Sequence, residues 1–141
     1  VTGARGMEVT MDEKLSEIDD QCDLVVLPGG IPGVPNLKTN SKVQAMVKAQ
    51  NDRGGYVAAI CAGPTALGAF GVLADKNATC YPGCEDQLMA KRHSTEPVVV
   101  DGNVITSRGV GTAIEFALKL VEILIDRQTA DDLAEKIVYK R

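Results

Sequence analysis

The sequence predicts an α/β domain whose mostly parallel central sheet is covered by helices on both faces. Two short apolar runs, at 23–27 (DLVVL) and 56–60 (YVAAI), have the pattern of strands that are buried on both faces. A turn containing Gly and Pro and then a helical pattern follow each run, and this alternation is typical of the class. The chain of 141 residues fits a single domain spanning 1–141.

The first half of the chain is expected to hold two helices. Residues 31–40 (IPGVPNLKTN) have the Gly, Pro and Asn composition of a loop. Ser41 and Gln44 then have the spacing of a capping box, which predicts a helix over 41–52. Pro64 suits the first turn of a second helix, directly after the YVAAI strand.

The clearest signal in the second half is a β-hairpin at 97–106, in which Asp101 and Gly102 supply the tight turn. Residues 78–81 (ATCY), which precede it, fit a further strand. The sheet is therefore expected to carry a small hairpin beside its parallel strands.

Two helices are expected after the hairpin. Thr112 and Glu115 form a second capping box, and the helix behind them is charged on one narrow face only, which predicts that most of it is buried. Thr129 is expected to cap a last amphipathic helix, with Leu133 and Ile137 on its apolar side.

Composition and charge exclude several classes of protein. A net charge of -4 gives no electrostatic reason to expect a nucleic-acid partner. No apolar run reaches the length of about 20 residues that a membrane helix needs, and no signal peptide is visible. The four cysteines form no C-x-x-C pair, and we expect free thiols in a reducing cytoplasm.

Three turns follow the carboxyl ends of predicted strands, at 28–30 (PGG), 61–63 (CAG) and 107–109 (SRG). Ligands bind at the carboxyl ends of the strands in such sheets. If the three strands are neighbours, the turns converge on one crevice, and that convergence predicts a functional site.

Cys61 is the candidate nucleophile of this crevice. It stands between a strand and a helix, where the unpaired N–H groups of the helix start favour a thiolate. Ala62 adds little bulk beside it, and Gly29 and Gly30 can bring backbone amides close enough to hold an oxyanion. The alternative is a buried structural cysteine, because free cysteine often acts as a small hydrophobe.

The other candidates are weaker. His93 is the only histidine and thus the only candidate imidazole base, although its polar surroundings also fit a solvated surface residue. Arg5 could bind an anion, but solvated arginines are common. Cys80 and Cys84 lack further ligands at a zinc spacing, so no metal site is expected.

The chain resembles the DJ-1/ThiJ/PfpI superfamily, and its DJ-1/YajL branch more closely than its PfpI proteases. Three segments match in order and spacing along essentially the whole chain: DLVVLPGG, AAICAGPTAL and TSRGVGTAIEFALKLVE. The resemblance implies a flavodoxin-like three-layer α/β sandwich, a homodimer and no cofactor.

The resemblance also implies roles for single residues. Cys61 occupies the place of the reactive cysteine of the family, which oxidises readily to a sulfinic acid. Gly29 and Gly30 match the glycines whose amides face that sulfur, and Ala62 matches the residue after it.

Further matches concern the periphery of the site. His93 falls where the branch has a histidine near the cysteine, and Arg5 matches an arginine that reaches the pocket across the dimer interface. Tyr81 stands where the branch can carry a histidine. The family pairs its cysteine with a glutamate that aligns with no residue here, so we expect about forty N-terminal residues to be missing, enough for a strand, a helix and a second strand.

Three functions follow from the resemblance. The first is an enzyme acting on small reactive aldehydes, either a glyoxalase III that converts methylglyoxal to lactate or a protein deglycase. The second is a non-catalytic sensor of oxidative stress, or chaperone, that works through oxidation of Cys61. The third, a PfpI-type peptidase, is weaker because those enzymes have histidine directly after the cysteine, where this chain has Ala62.

Overall fold

The computed structural model describes residues 1–3, 5–19 and 21–140. Within them the strands, in chain order, are β1 (Leu24–Leu27), β2 (Tyr56–Ile60), β3 (Asn77–Ala78), β4 (Arg92–His93), β5 (Val98–Asp101) and β6 (Val104–Ser107). The helices are α1 (Gly33–Thr39), α2 (Ser41–Asp52), α3 (Pro64–Ala69), α4 (Ala113–Leu124) and α5 (Arg127–Lys136), with 3₁₀ turns at Glu85–Gln87 and Val110–Thr112.

Four strands form the central sheet, in the order β1-β2-β6-β5. The first three are parallel, and β5 runs antiparallel to β6 as the other arm of the predicted hairpin. Val26 of β1 lies beside Ala58 of β2, which lies beside Ile105 of β6. The strands β3 and β4 pair separately as a short parallel ribbon. The prediction of a mostly parallel sheet with a small hairpin is confirmed.

The alternation of side chains along β2 divides the core into two halves. Val57 and Ala59 face a cluster that also contains residues of α1, α2 and α3. Ala58 faces the other side of the sheet, where Ile105 and Phe116 of α4 complete a smaller cluster. All three β2 residues are fully buried, which is why this strand is apolar throughout. Helices therefore cover both faces, as in a three-layer sandwich.

The loop predicted at 31–40 is wrong, because α1 occupies most of it. Val34 is buried in the main core cluster and Leu37 packs against it. Pro35 lies in the first turn of the helix, where its missing N–H is not needed. Burial of the two apolar side chains outweighs the loop-like composition.

The predicted helix caps are also corrected. Asn40, rather than Ser41, caps α2, since its side chain accepts from the Lys42 and Val43 amides at 3.0 and 3.1 Å. Asp126, rather than Thr129, caps α5. Asn, Asp, Ser and Thr all suit this position, so a choice between candidates one residue apart, as at α2, or three residues apart, as at α5, depends on the path of the chain.

Three other elements, β3, α4 and α5, differ from expectation in smaller ways. The strand predicted at 78–81 is reduced to Asn77–Ala78. Helix α4 buries Phe116 and Leu118, yet its Ile114 and Leu124 are exposed, so the helix is only half covered. The buried residues of α5 are two alanines, whereas Leu133 is 38% exposed and Ile137, directly after the helix, is 48% exposed. No helix in the described ranges is long and apolar enough to cross a membrane.

Candidate functional site

Cys61 stands on a sharp corner between β2 and α3. Its backbone φ is +65°, a left-handed conformation that side-chain-bearing residues rarely adopt. Two hydrogen bonds hold the corner: the Cys61 amide donates to the Ser107 carbonyl at 3.0 Å, and the Cys61 carbonyl accepts from the Tyr81 amide at 2.8 Å. A strained residue held from both sides is typical of a functional position.

The three turns predicted to converge do lie against one another. A Cβ added to Gly29 would come within 3.0 Å of the Cys61 Sγ, so only glycine fits beside the thiol. A Cβ on Gly63 would lie 2.6 Å from the Leu27 carbonyl at the end of β1. The third turn is joined to Cys61 by the bond to Ser107.

Cys61 lines a pocket of about 390 Å³. The other lining residues come from two loops: Tyr81, Pro82, Arg108, Gly109, Val110, Gly111 and Thr112. Tyr81 lies over Gly109, because a Cβ on this glycine would be 3.3 Å from the ring Cδ2. The sulfur is half-buried, so a small molecule can reach it through this pocket.

Backbone amides near the sulfur are free to bind an anion. The amides of Gly30 and Ala62 donate to no acceptor in the part of the chain that the structure describes. Gly30 has φ +94° and its carbonyl accepts from Val34, which fixes this turn on the first residues of α1. The oxyanion role expected for Gly29, Gly30 and Ala62 stays a prediction, supported by this arrangement.

His93 does not line the Cys61 pocket. It lies on β4, beside a separate pocket of about 650 Å³ that is also lined by Asn77, Arg92 and Glu96. Its Nε2 is buried and has no hydrogen-bond partner among the described residues. Tyr81, which stands where the branch can carry a histidine, lines the Cys61 pocket instead.

Arg5 lies on an exposed turn of the N-terminal residues. Thr2 and Glu8 form an isolated antiparallel bridge that leaves Arg5 near the tip. Within the chain it does not line the Cys61 pocket. Its expected role across a dimer interface, like the catalytic role of His93, stays a prediction.

A polar network lies behind the pocket. The Ser107 hydroxyl lies 2.7 Å from the Pro97 carbonyl and 2.7 Å from the Thr112 hydroxyl, which in turn accepts from the Gly109 amide at 3.1 Å. Thr112 therefore stabilises the SRG turn through these hydrogen bonds, and it does not form the predicted capping box with Glu115. The only signal for this was the Gly-rich composition of the turn.

Two further thiols and a carboxylate surround the Cys61 corner. Burial, followed by the charge of Glu85, raises the pKa of Cys80 to about 11. Burial and the charges of Cys61 and Glu85 raise the pKa of Cys84. The pKa of Glu85 itself is lowered, chiefly by hydrogen bonds from its own amide and from Gly83. Both secondary cysteines are thus held as thiols.

The pattern of donors does not point to a metal centre. In residues 1–3, 5–19 and 21–140 no group of three or more His, Cys, Asp and Glu side chains is arranged to hold a metal ion. The chemistry available at the site is that of a thiol, backbone amides and the guanidinium of Arg108, whose Nε is buried without a partner among these residues.

Comparisons with known proteins agree with the geometry. The family model of the DJ-1/PfpI family matches residues 1–123. Parkinson disease protein 7 homolog of Danio rerio is 42% identical over 142 residues, which cover 97% of this chain and 75% of that protein. The glutathione-independent glyoxalase DJR-1.2 of Caenorhabditis elegans is 35% identical over 137 residues, covering 95% and 73%.

A solved structure extends the similarity to the fold. The crystal structure of Drosophila melanogaster DJ-1beta superposes with a TM-score of 0.94 at 38% identity, covering all of this chain and 77% of that one. The flavodoxin-like architecture is therefore shared as well as the motifs. With the family model, these relatives and this fold in agreement, the chain belongs to the DJ-1/PfpI family, in its DJ-1 branch.

Proposed function

We propose that the protein uses Cys61 as a nucleophile toward small reactive aldehydes, in a glutathione-independent conversion of the glyoxalase type. The observation that carries the proposal is the position of Cys61, with φ +65° at the edge of a pocket and with unpaired amides beside its sulfur. The glyoxalase among its relatives supports the choice of substrate class.

The first step is addition of the Cys61 thiolate to the aldehyde carbon. The carbonyl oxygen then becomes an oxyanion in a hemithioacetal, and we expect the unpaired amides of Gly30 and Ala62 to donate to it. Because both amides belong to tight turns, they need little reorganisation when charge develops. The small residues beside the sulfur leave room for the tetrahedral carbon.

The second step moves a proton between the two carbons of a 2-oxoaldehyde, and water then hydrolyses the resulting thioester to release a 2-hydroxy acid. The first of these events needs a base. None of the described residues lining the Cys61 pocket carries a carboxylate, and the resemblance assigns this role to a glutamate that aligns with no residue of 1–141. Arg108 lines the pocket and is suited to hold the carboxylate product.

The test is turnover of methylglyoxal without glutathione, with lactate measured directly. Cys61→Ser should lower kcat/KM by about 100-fold or more, since serine lacks an ionised nucleophile at neutral pH. Cys22→Ser, at an exposed cysteine beyond the opposite edge of the sheet, is the matched control and should keep full turnover. Full lactate production by Cys61→Ser would disprove the proposal.

A second candidate is a sensor of oxidative stress, because an accessible thiol is oxidised selectively, first to a sulfenic and then to a sulfinic acid. The observation that favours it is the contrast between half-buried Cys61 and fully buried Cys80. Mild peroxide should then oxidise Cys61 first, whereas equal oxidation of all four cysteines would exclude a sensor. Protein deglycase activity would use the same first step on a glycated substrate.

Assembly and location belong to the same proposal. We expect a homodimer, as the family resemblance implies; light scattering after gel filtration measures the mass directly. All four cysteines are unpaired in the described chain, which is typical of a reducing cytoplasm. Fractionation of cells that express the tagged protein tests the location.

A further inference from the structure

Cys84 is the last residue of a β-turn that is hydrogen-bonded to the Cys61 corner. The Tyr81 amide donates to the Cys61 carbonyl at 2.8 Å, and the Cys84 amide donates to the Tyr81 carbonyl at 3.0 Å. The second bond closes a β-turn over Tyr81, Pro82, Gly83 and Cys84, and the positive φ of Gly83, +93°, fits a type II turn. Residues 81 and 84 are therefore within about 7 Å of each other at their Cα atoms.

The side chain of Cys84 is directed inward from this turn. It is half-buried and packs against the core cluster that contains Ala62, the residue after Cys61. The backbone bonds from Tyr81 to Cys61 and from Cys84 to Tyr81 tie this turn to the Cys61 corner. One cysteine thus stands at the reactive corner, and the other ends the turn that is hydrogen-bonded to it, whose residues Pro82 and Gly83 are exposed.

The other two cysteines are poorly placed to react with Cys61. Cys80 is fully buried in the main core cluster, and its pKa of about 11 keeps it a neutral thiol. Cys22 precedes β1, at the opposite edge of the sheet, where its thiol lies 3.8 Å from the Gln50 side chain. Cys84 combines proximity to Cys61 with partial access to solvent.

We propose that Cys84 is the resolving cysteine for Cys61, so that oxidation by a hydroperoxide ends in an intramolecular Cys61–Cys84 disulfide instead of a sulfinic acid. The inference rests on the nucleophilic Cys61 of the proposed function, and it adds a site of reversible modification. Because Pro82 and Gly83 are exposed and Gly83 has open space around it, the turn can bring Cys84 to the sulfur.

The chemistry balances with the hydroperoxide as the oxidant. The Cys61 thiolate attacks one peroxide oxygen, the O–O bond breaks, and an alkoxide or hydroxide leaves while Cys61 becomes a sulfenic acid. The Cys84 thiol then loses its proton, its sulfur attacks the Cys61 sulfur, and the S–O bond breaks with release of water. The two thiols lose two electrons in total, and the peroxide gains them.

The electrostatic surroundings of Cys84 change when Cys61 is oxidised. Burial, and after it the charges of Cys61 and Glu85, raise the pKa of Cys84, and Lys38 opposes them. Conversion of the Cys61 thiolate to a neutral sulfenic acid removes one of the two repulsive charges. Cys84 is consequently easier to ionise after Cys61 has been oxidised than before.

The test is mass spectrometry of the reduced protein after two equivalents of hydrogen peroxide, one for the sulfenic acid and one for a sulfinic acid, with remaining thiols blocked by N-ethylmaleimide. Wild type should lose about 2 Da with two thiols fewer to block, and trypsin should yield peptide 54–76 joined to 77–91. Cys84→Ser should instead gain about 32 Da on Cys61, the mass of a sulfinic acid. Dithiothreitol should reverse the change in wild type only.

Two controls identify the partner. Peptide 77–91 contains both Cys80 and Cys84, so Cys80→Ala must keep the cross-link, and Cys22→Ser must keep it too. A wild type that forms the sulfinic acid as fast as Cys84→Ser, with no joined peptide, would overturn the inference. Methylglyoxal turnover by Cys84→Ser is measured in parallel: retained turnover with a lost cross-link separates this inference from the proposed function.

Discussion

Gly29 and Cys61 are packed so closely that a side chain at position 29 would collide with the reactive thiol. A Cβ there would lie 3.0 Å from Sγ, and closer still to the Cβ of Cys61. The backbone of the PGG turn therefore lies directly against the reactive sulfur, which is what a site that binds an oxyanion through amides requires.

Gly29→Ala is expected to destabilise the fold and to move the sulfur. The added methyl group must displace Cys61 or the turn, at a cost of about 1–3 kcal/mol in the free energy of unfolding. Urea denaturation measures this cost, and the rate of alkylation by iodoacetamide reports the position of the thiol. Gly33→Ala is the control, because nothing lies within 4 Å of a Cβ there and its change should stay within about 1 kcal/mol. Equal stability of the two variants would contradict the packing.

A second prediction concerns the backbone of Cys61. At φ +65°, glycine avoids the contact between Cβ and carbonyl that alanine must make. Cys61→Gly should thus be more stable than Cys61→Ala by about 1 kcal/mol, although neither has a nucleophile. Thermal and urea denaturation measure the difference.

The control is the same pair of variants, to Gly and to Ala, at Cys80. This residue is buried but is not among the residues with positive φ. There the order should reverse, and Cys80→Gly should be less stable than Cys80→Ala by about 0.5–1 kcal/mol. The same order at both positions would mean that the corner at Cys61 is not strained.

The central part of the site could be predicted because its signals are local. Cys61, Gly63 and Pro64 lie within four residues of one another, and a cysteine between an apolar strand and a Gly-Pro helix start is visible in the sequence itself. The position of Tyr81 over the pocket could not be predicted, since it depends on a hydrogen bond between residues twenty apart in the sequence. Likewise, α1 forms because Val34 and Leu37 reach the core, which the loop-like composition of its sequence conceals.

A pH dependence is expected from Asp101 at the end of β5. Hydrogen bonds from the Asn77 amide and its side chain, both 2.8 Å, lower the pKa of this carboxyl. The stabilisation is present above the unfolded pKa of about 3.9, and it is lost as the pH falls through the lower, folded pKa. The unfolding free energy of wild type should therefore fall below about pH 4, and less steeply in Asp101→Asn.

Asn77→Ala is the companion variant for this experiment. It removes the side-chain donor but keeps the amide, so its acid dependence should lie between those of wild type and Asp101→Asn. Identical pH profiles for all three proteins, measured by urea denaturation from pH 3 to pH 6, would show that Asp101 carries none of the acid sensitivity.

The last prediction uses two buried threonines that face each other between β3 and β6. The Thr106 hydroxyl accepts from the Thr79 amide at 2.9 Å, whereas the Thr79 hydroxyl is buried without a partner among the described residues. Thr79→Val removes only the unpaired hydroxyl and should stabilise the protein by about 1 kcal/mol. Thr106→Val leaves the Thr79 amide without an acceptor and should cost about 1–3 kcal/mol. Both threonines are fully buried and the two changes remove the same atoms, so each variant is the control for the other in urea denaturation. A change of the unfolding free energy in the same direction for both variants would rule out this assignment of donor and acceptor. The two variants differ only in whether the lost hydroxyl has a hydrogen-bond partner.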